Sequence, residues 1–190
     1  EVRSMTKYPE RRAYHSTFVS ENKLYVYGGE DLNEGVRNTI YSLDLGFLGQ
    51  NPGKIGAIGL EPNWQPVTIA NGQKMASPYL SHHSTVVYNG YAYMCGGLLP
   101  NGRNNPEIYK FEFHSSKWAV ARQSEDTPAP RDDHTAILDN DSMVIFGGYE
   151  RGRKCNSVYR YEFTSTRWTK LCEGGEVGPS PRSGHSACLF

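Results

Sequence analysis

Four histidines recur in one frame. His15, His83 and His134 precede the glycine pairs Gly28 and Gly29, Gly96 and Gly97, and Gly147 and Gly148 by 13 and 14 positions each. His185 follows His134 by 51 residues, the interval that also separates His83 from His134. An imidazole can serve as general acid or base, or as a metal ligand. Those roles call for one histidine in a setting of its own, whereas a residue copied in every repeat is expected to serve the structure. No unrepeated Ser-His-Asp set, carboxylate pair or metal-ligand cluster stands out, so we expect no catalytic residue, no metal and no cofactor. The cysteines Cys95, Cys155, Cys172 and Cys188 show no CxxC spacing and lie apart from the histidine frames. They read as reduced thiols of a cytosolic protein. The segment GQNPGKI lacks the spacing of a phosphate loop, and Ile55 stands where a Ser or Thr would follow the Lys. Asn140, Asp141 and Ser142 form a glycosylation sequon, but inside a tight turn, where it gives no weight to secretion.

The elements that hold these residues are short strands. Ile137 to Gly148, ILDNDSMVIFGG, reads as a hairpin: a strand, a polar turn, and an apolar strand ending on the glycine pair. RAYHSTFVSENKLYVYGG and SHHSTVVYNGYAYMCGG repeat it. Each pair is followed by a polar loop (EDLNEGVRN, LLPNGRNN, YERGRKCN), a strand carrying Tyr41, Tyr109 or Tyr159, a turn, and Trp64, Trp118 or Trp168. The tyrosine and tryptophan lie 9 apart in the second and third repeats but 23 apart in the first, which places an insertion of about 14 residues within Gly46 to Asn63. Four strands repeated at about 50 residues are the signature of a propeller blade. One such sheet cannot bury its two faces alone, and stacking blades buries both.

The totals narrow the function. With 190 residues, one good core is expected and two large domains are not. Lys plus Arg equals Asp plus Glu, 20 against 20, which argues against nucleic acid and against a polybasic membrane anchor. No apolar run approaches the length of a membrane span. The first residues carry no apolar stretch of a signal peptide, although a chain beginning at Glu1 reads as a piece of a longer protein.

Taken together, the lead Pro130, Arg131 and His134 (again Pro181, Arg182 and His185), the double glycine, the spaced tyrosine and the tryptophan resemble the kelch-repeat family. An acidic residue three after each tyrosine (Asp44, Glu112, Glu162) belongs to the set. The second repeat departs from it: Leu80 stands where an arginine is expected, and Asn105 and Pro106 approach the tyrosine strand where the other repeats have Asn38 and Asn156. The resemblance implies an all-β, kelch-type β-propeller forming a single domain over 1–190. Its three complete four-stranded blades run approximately over 12–76, 77–127 and 128–178. A fourth begins at 179–190, and the insertion is 46–63. In similar propellers a ring formed by the motif tyrosine and tryptophan lies flat on the glycines, and the carboxylates accept turn N–H groups. Propellers close with about 4 to 8 blades, so the remaining blades are expected from the same longer chain. Pairing of open edges between two copies is the alternative.

In such a blade the loop between the second and third strands and the connection between blades emerge on one face. Arg37, Arg103, Arg151 and Arg153 lie in the former; Tyr14, His82, Asp132 and Asp133 lie in the latter. We expect these eight residues to ring one mouth of the central channel and bind a partner protein. Arginine suits carboxylates and phosphates, and in similar domains the mouth takes a peptide, often an acidic one. The alternative is that the arginines are solvated or pair with Glu30, Asp31 and Glu150. The expected function is a non-enzymatic protein–protein interaction module or adaptor scaffold in the cytoplasm, with cytoskeletal association among its settings. A ubiquitin-ligase substrate receptor is one alternative. An oxidase-like enzyme is another, although the copper oxidases that resemble kelch propellers need axial Tyr and His ligands and a Cys-linked Tyr that this pattern does not offer.

Overall fold

The computed structural model describes residues 8–46, 63–72, 74–176 and 178–189. Its strands, in chain order, begin with β1 (Ser16–Ser20) and β2 (Lys23–Tyr27), then the short β3 (Glu30–Asp31) and β4 (Gly35–Val36), then β5 (Ile40–Asp44) and β6 (Trp64–Pro66). The next repeat supplies β7 (Ser84–Tyr88), β8 (Tyr91–Cys95), β9 (Ile108–Glu112) and β10 (Lys117–Val120). The third supplies β11 (Arg131–Asp132), β12 (Thr135–Asp139), β13 (Ser142–Phe146), β14 (Tyr149–Glu150), β15 (Arg153–Lys154), β16 (Val158–Glu162) and β17 (Arg167–Cys172). Three four-stranded antiparallel sheets result, in the orders β1-β2-β5-β6, β7-β8-β9-β10 and β12-β13-β16-β17. They are the three blades expected from the repeats. Nearly all of the 46–63 insertion (47–62) lies outside the described residues, so its expected hairpin is not addressed. Residues 179–189 dock on the third blade without adding a strand among the described residues.

Each first hairpin turns on a polar pair with an asparagine at positive φ. Asn140 sits at +53° between Asp139 and Ser142, and Asn89 and Gly90 sit at +46° and +79°. Asparagine and glycine enter that region at little cost, which is why the turns fall there.

The core lies between blades. Phe18, Tyr25, Tyr27 and Ile40 of the first blade pack with Ala92, Met94, Phe111 and Trp118 of the second. Val86, Tyr93, Cys95 and Ile108 of the second pack with Met143, Ile145, Tyr161 and Trp168 of the third. The inner strands β1, β7 and β12 lie side by side, as wedges around an axis require. A hydrogen-bonded ladder links the blade entries: His82 N donates to Tyr14 O (2.9 Å), Asp133 N to His82 O (3.0 Å) and Gly184 N to Asp133 O (2.9 Å). All four residues have φ between +51° and +64°.

A second ladder explains the histidines. His83 Nε2 meets the Ser16 hydroxyl at 2.8 Å, His134 Nε2 meets Ser84 at 2.7 Å, and His185 Nε2 meets Thr135 at 3.0 Å. Each histidine bonds the hydroxyl that follows the histidine of the preceding blade. Their structural role therefore holds for His83, His134 and His185. His15 stands exposed, with no described strand against its ring.

The glycines correct one expectation. The atoms nearest to where their Cβ would stand are not those of the tyrosine or tryptophan rings. The first glycine of each pair meets the backbone carbonyl of Leu80, Arg131 or Arg182 and the edge of the next blade's histidine; the second meets the histidine of its own blade. The tyrosines take the motif arginines instead: Arg12 lies over Tyr41 at 5.6 Å and Arg131 over Tyr159 at 5.1 Å. The arginines then reach the glycine carbonyls, Arg12 to Gly28 (3.0 Å) and Arg131 to Gly147 (3.1 Å). Leu80 fills the same place in the second blade, fully buried. The acidic residues are also corrected in part. Asp44 accepts the Gly46 N–H at 2.8 Å, but Glu112 and Glu162 accept serine hydroxyls of their turns, Ser115 and Ser165.

Candidate functional site

Short ladders tie each blade's entry to its own long loop. Ala13 bridges Glu30, Ser81 bridges Leu98, and β11 pairs with β14. The two sets of segments therefore share one face, and the residue after each glycine pair (Glu30, Leu98, Tyr149) faces an entry residue. This pairing builds the mouth.

Tyr14, His82 and Asp133 occupy equivalent positions, one before the motif histidine, and the left-handed backbone there turns their side chains toward one another. Tyr14 stacks on His82 with ring centroids 3.7 Å apart, and His82 Nδ1 lies 2.8 Å from Asp133 Oδ1. His82 Nε2 faces Glu30 Oε1 at 3.5 Å, and the Ser81 hydroxyl donates to Glu30 Oε2 at 2.9 Å. Asp132, 8% exposed, accepts from Asn104 Nδ2 at 2.6 Å. Burial pushes the Asp132 carboxyl above its usual range and Asp133 adds to that, while the Asn104 bond and His82 oppose it. The four entry residues named from the sequence are thus brought together. Glu30 and Asn104 complete the group and were not foreseen as site residues. Their signal was positional: Glu30 directly follows a glycine pair.

The arginines are placed differently. Arg151 and Gly152 form the tip of the β14–β15 hairpin at φ +48° and +79°, and Arg153 follows. Arg103 lies in the corresponding loop of the second blade. All three are exposed, and none forms an ion pair among the described residues. Arg151 and Arg153 line an open cavity of about 450 Å³ together with Lys154, Tyr159 and two acidic residues, Glu150 and Glu173. Arg37 departs from the expectation. Its side chain is 12% exposed and sits between Glu34 (3.2 Å) and Glu10 (3.9 Å). Of the alternative, pairing with Glu30, Asp31 and Glu150 does not describe the other three, whereas their exposure agrees with its other half, solvated loop residues. Glu30 serves Ser81 and His82, Asp31 accepts the Asn33 and Glu34 N–H groups, and Glu150 holds the buried Arg131 at 2.7 Å. Exposed apolar groups sit among these loops: Tyr14, Leu32 and Tyr149. The mouth therefore carries both signs of charge, with the carboxylates of Glu30, Asp132 and Asp133 around His82 and exposed arginines in the loops of the second and third blades. Such a surface can seat a polypeptide segment, because arginine and tyrosine carry most contact energy at interfaces.

A family profile described as KLHDC2/KLHL20/DRC7 Kelch-repeats domain matches residues 1–190. Kelch domain-containing protein 3 of Homo sapiens is 31% identical over 153 residues, covering 76% of this chain and 37% of that protein. Its Bos taurus counterpart is 29% identical over the same length. Acyl-CoA-binding domain-containing protein 5 of Arabidopsis thaliana is 24% identical over 190 residues, covering 95% of this chain and 27% of that protein. The chain spans little more than a third of the length of the first two relatives.

Proposed function

This chain belongs to the kelch-repeat family, a family of protein-interaction domains, and on that premise we propose that it is the non-enzymatic recognition part of a larger cytoplasmic protein. Its mouth binds an acidic segment of a partner protein. One observation carries the reading: Arg103, Arg151 and Arg153 stand exposed on the mouth face with no acidic partner of their own among the described residues. A guanidinium held this way offers two parallel N–H donors to a carboxylate at no cost of breaking an existing pair. The acids that could have neutralised them are engaged elsewhere, so the charge is available to a ligand.

The test is co-purification of the intact protein and an Arg103→Ala, Arg151→Ala, Arg153→Ala variant, with mass spectrometry of what each retains. Both must melt alike, as substitution of exposed loop side chains predicts. Loss of one partner from the variant alone, with the association rate falling as salt rises for the wild type, is the expected result. Identical partners on both proteins would remove the arginines from the recognition surface. A substrate-receptor role in a ubiquitin ligase is the narrower alternative, and it needs an adaptor-binding domain outside these residues.

A further inference from the structure

His82 is held on three sides. The Tyr14 ring covers one face, Nδ1 lies 2.8 Å from Asp133 Oδ1, and Nε2 lies 3.5 Å from Glu30 Oε1. A neutral imidazole carries one N–H, yet both of its nitrogens face carboxylate oxygens. Whichever tautomer forms, one lone pair points at a carboxylate. Asp132 adds a third negative group, 8% exposed, and no lysine or arginine pairs with Glu30, Asp132 or Asp133 among the described residues. Three carboxylates around one imidazole, mostly out of solvent, lack positive charge, and burying charge without a counter-charge is costly.

We propose that His82, Asp132 and Asp133 bind a divalent transition-metal ion of the zinc type at the mouth of the propeller. Their ligand atoms lie within 4.8 Å of one another. Tetrahedral zinc, with bonds of about 2.0–2.1 Å, sets ligands about 3.3 Å apart, a closure that side-chain rotation supplies. With Nδ1 on the metal, the Nε2–H of His82 points to Glu30, whose other oxygen is fixed by Ser81. Asn104 fixes Asp132 in the same way. Hydrogen bonds of this kind orient metal ligands and hold the histidine tautomer. One nitrogen and two oxygens suit zinc rather than a thiophilic ion. Three protein ligands leave a fourth position open toward the mouth. The ligands come from two blade entries, so the site exists only when the second and third blades are stacked. This proposal stands independently of the arginines.

The experiment uses the intact, tag-free protein stripped with a chelator and titrated with zinc chloride, followed by calorimetry and native mass spectrometry. One equivalent per chain is expected, with a rise in melting temperature. Asp132→Asn and His82→Gln should each weaken binding by about tenfold or more. The spectrum of the wild type with cobalt(II) should lack a thiolate charge-transfer band, a readout that needs no variant to fold. Absence of stoichiometric zinc binding would overturn the site. A thiolate band, or binding unchanged in both folded variants, would overturn it as well by assigning the metal to the cysteines.

Discussion

Gly96 illustrates how a motif residue works by what it leaves out. A Cβ there would overlap the Arg131 carbonyl oxygen and stand 2.7 Å from the His134 ring, at a φ of +63° that other residues adopt only with strain. Both objects belong to the next blade, and the backbone oxygen cannot move aside without breaking its bond from Gly97 N (2.9 Å). Gly96→Ala should destabilise the protein by about 3 kcal/mol or more, measured as a fall in urea midpoint at constant m-value. A Gly90→Ala control shares the positive φ of +79° but has open space around it, and it should lose only the backbone part, about 1 kcal/mol. Equal losses would mean that the interblade contact is not what the glycine serves.

At the scale of elements, Arg131 joins four segments. It is 2% exposed and donates to Gly147 O, Ser157 Oγ and Glu150 Oε2, with Tyr159 beneath it. Glu150 belongs to β14, so this one side chain pins the β14–β15 hairpin, and with it Arg151 and Arg153, to the blade. Arg131→Ala should cost about 3 kcal/mol and raise amide hydrogen exchange in 149–154 above that of β13 and β16. Uniform exchange across the third blade would show that the hairpin is held by its backbone ladder alone. The second blade does without this arginine: Leu80 fills the space, and Asn105, 1% exposed, donates to Gly96 O and Glu107 O in its place. Asn105 thus makes the bond to the glycine carbonyl that Arg12 and Arg131 make in the other two blades.

Across the whole molecule, the histidine ladder makes blade stacking sensitive to acid. Burial, with neighbouring positive groups adding to it, lowers His83 and His134 to about 3 from the usual 6.5. The Nδ1 atoms of both are buried without an acceptor, so a second proton would have nowhere to donate. Because the folded value lies below the unfolded one, the stabilisation is complete above pH 6.5 and is lost as pH falls toward 3. By pH 5 each histidine should remove on the order of 2 kcal/mol. Urea unfolding from pH 7.5 to 5 should show this slope, and a His83→Gln, His134→Gln variant should flatten it. An unchanged slope in the variant would move the acid sensitivity to other groups.

The repeat frame, the three sheets and the structural histidines were legible because side chains at fixed offsets impose the same local pairing wherever they recur. Asn140 and the glycine pairs carry backbone conformations that few other residues accept, so their identity alone locates turns and close contacts. The grouping of Tyr14, His82, Asp132 and Asp133 on one face followed from the same connectivity. What sequence spacing could not supply is which atoms meet across blades. His83 finds Ser16 from 67 residues away, Glu30 reaches Ser81 and His82, and Arg37 is drawn between Glu34 and Glu10 instead of standing at the mouth. These contacts depend on how one sheet twists against the next, a sum of many packing terms with no local signature. The repeat therefore determined the blades and the face they present, while tertiary stacking decided which charges on that face are paired within the protein and which stay exposed.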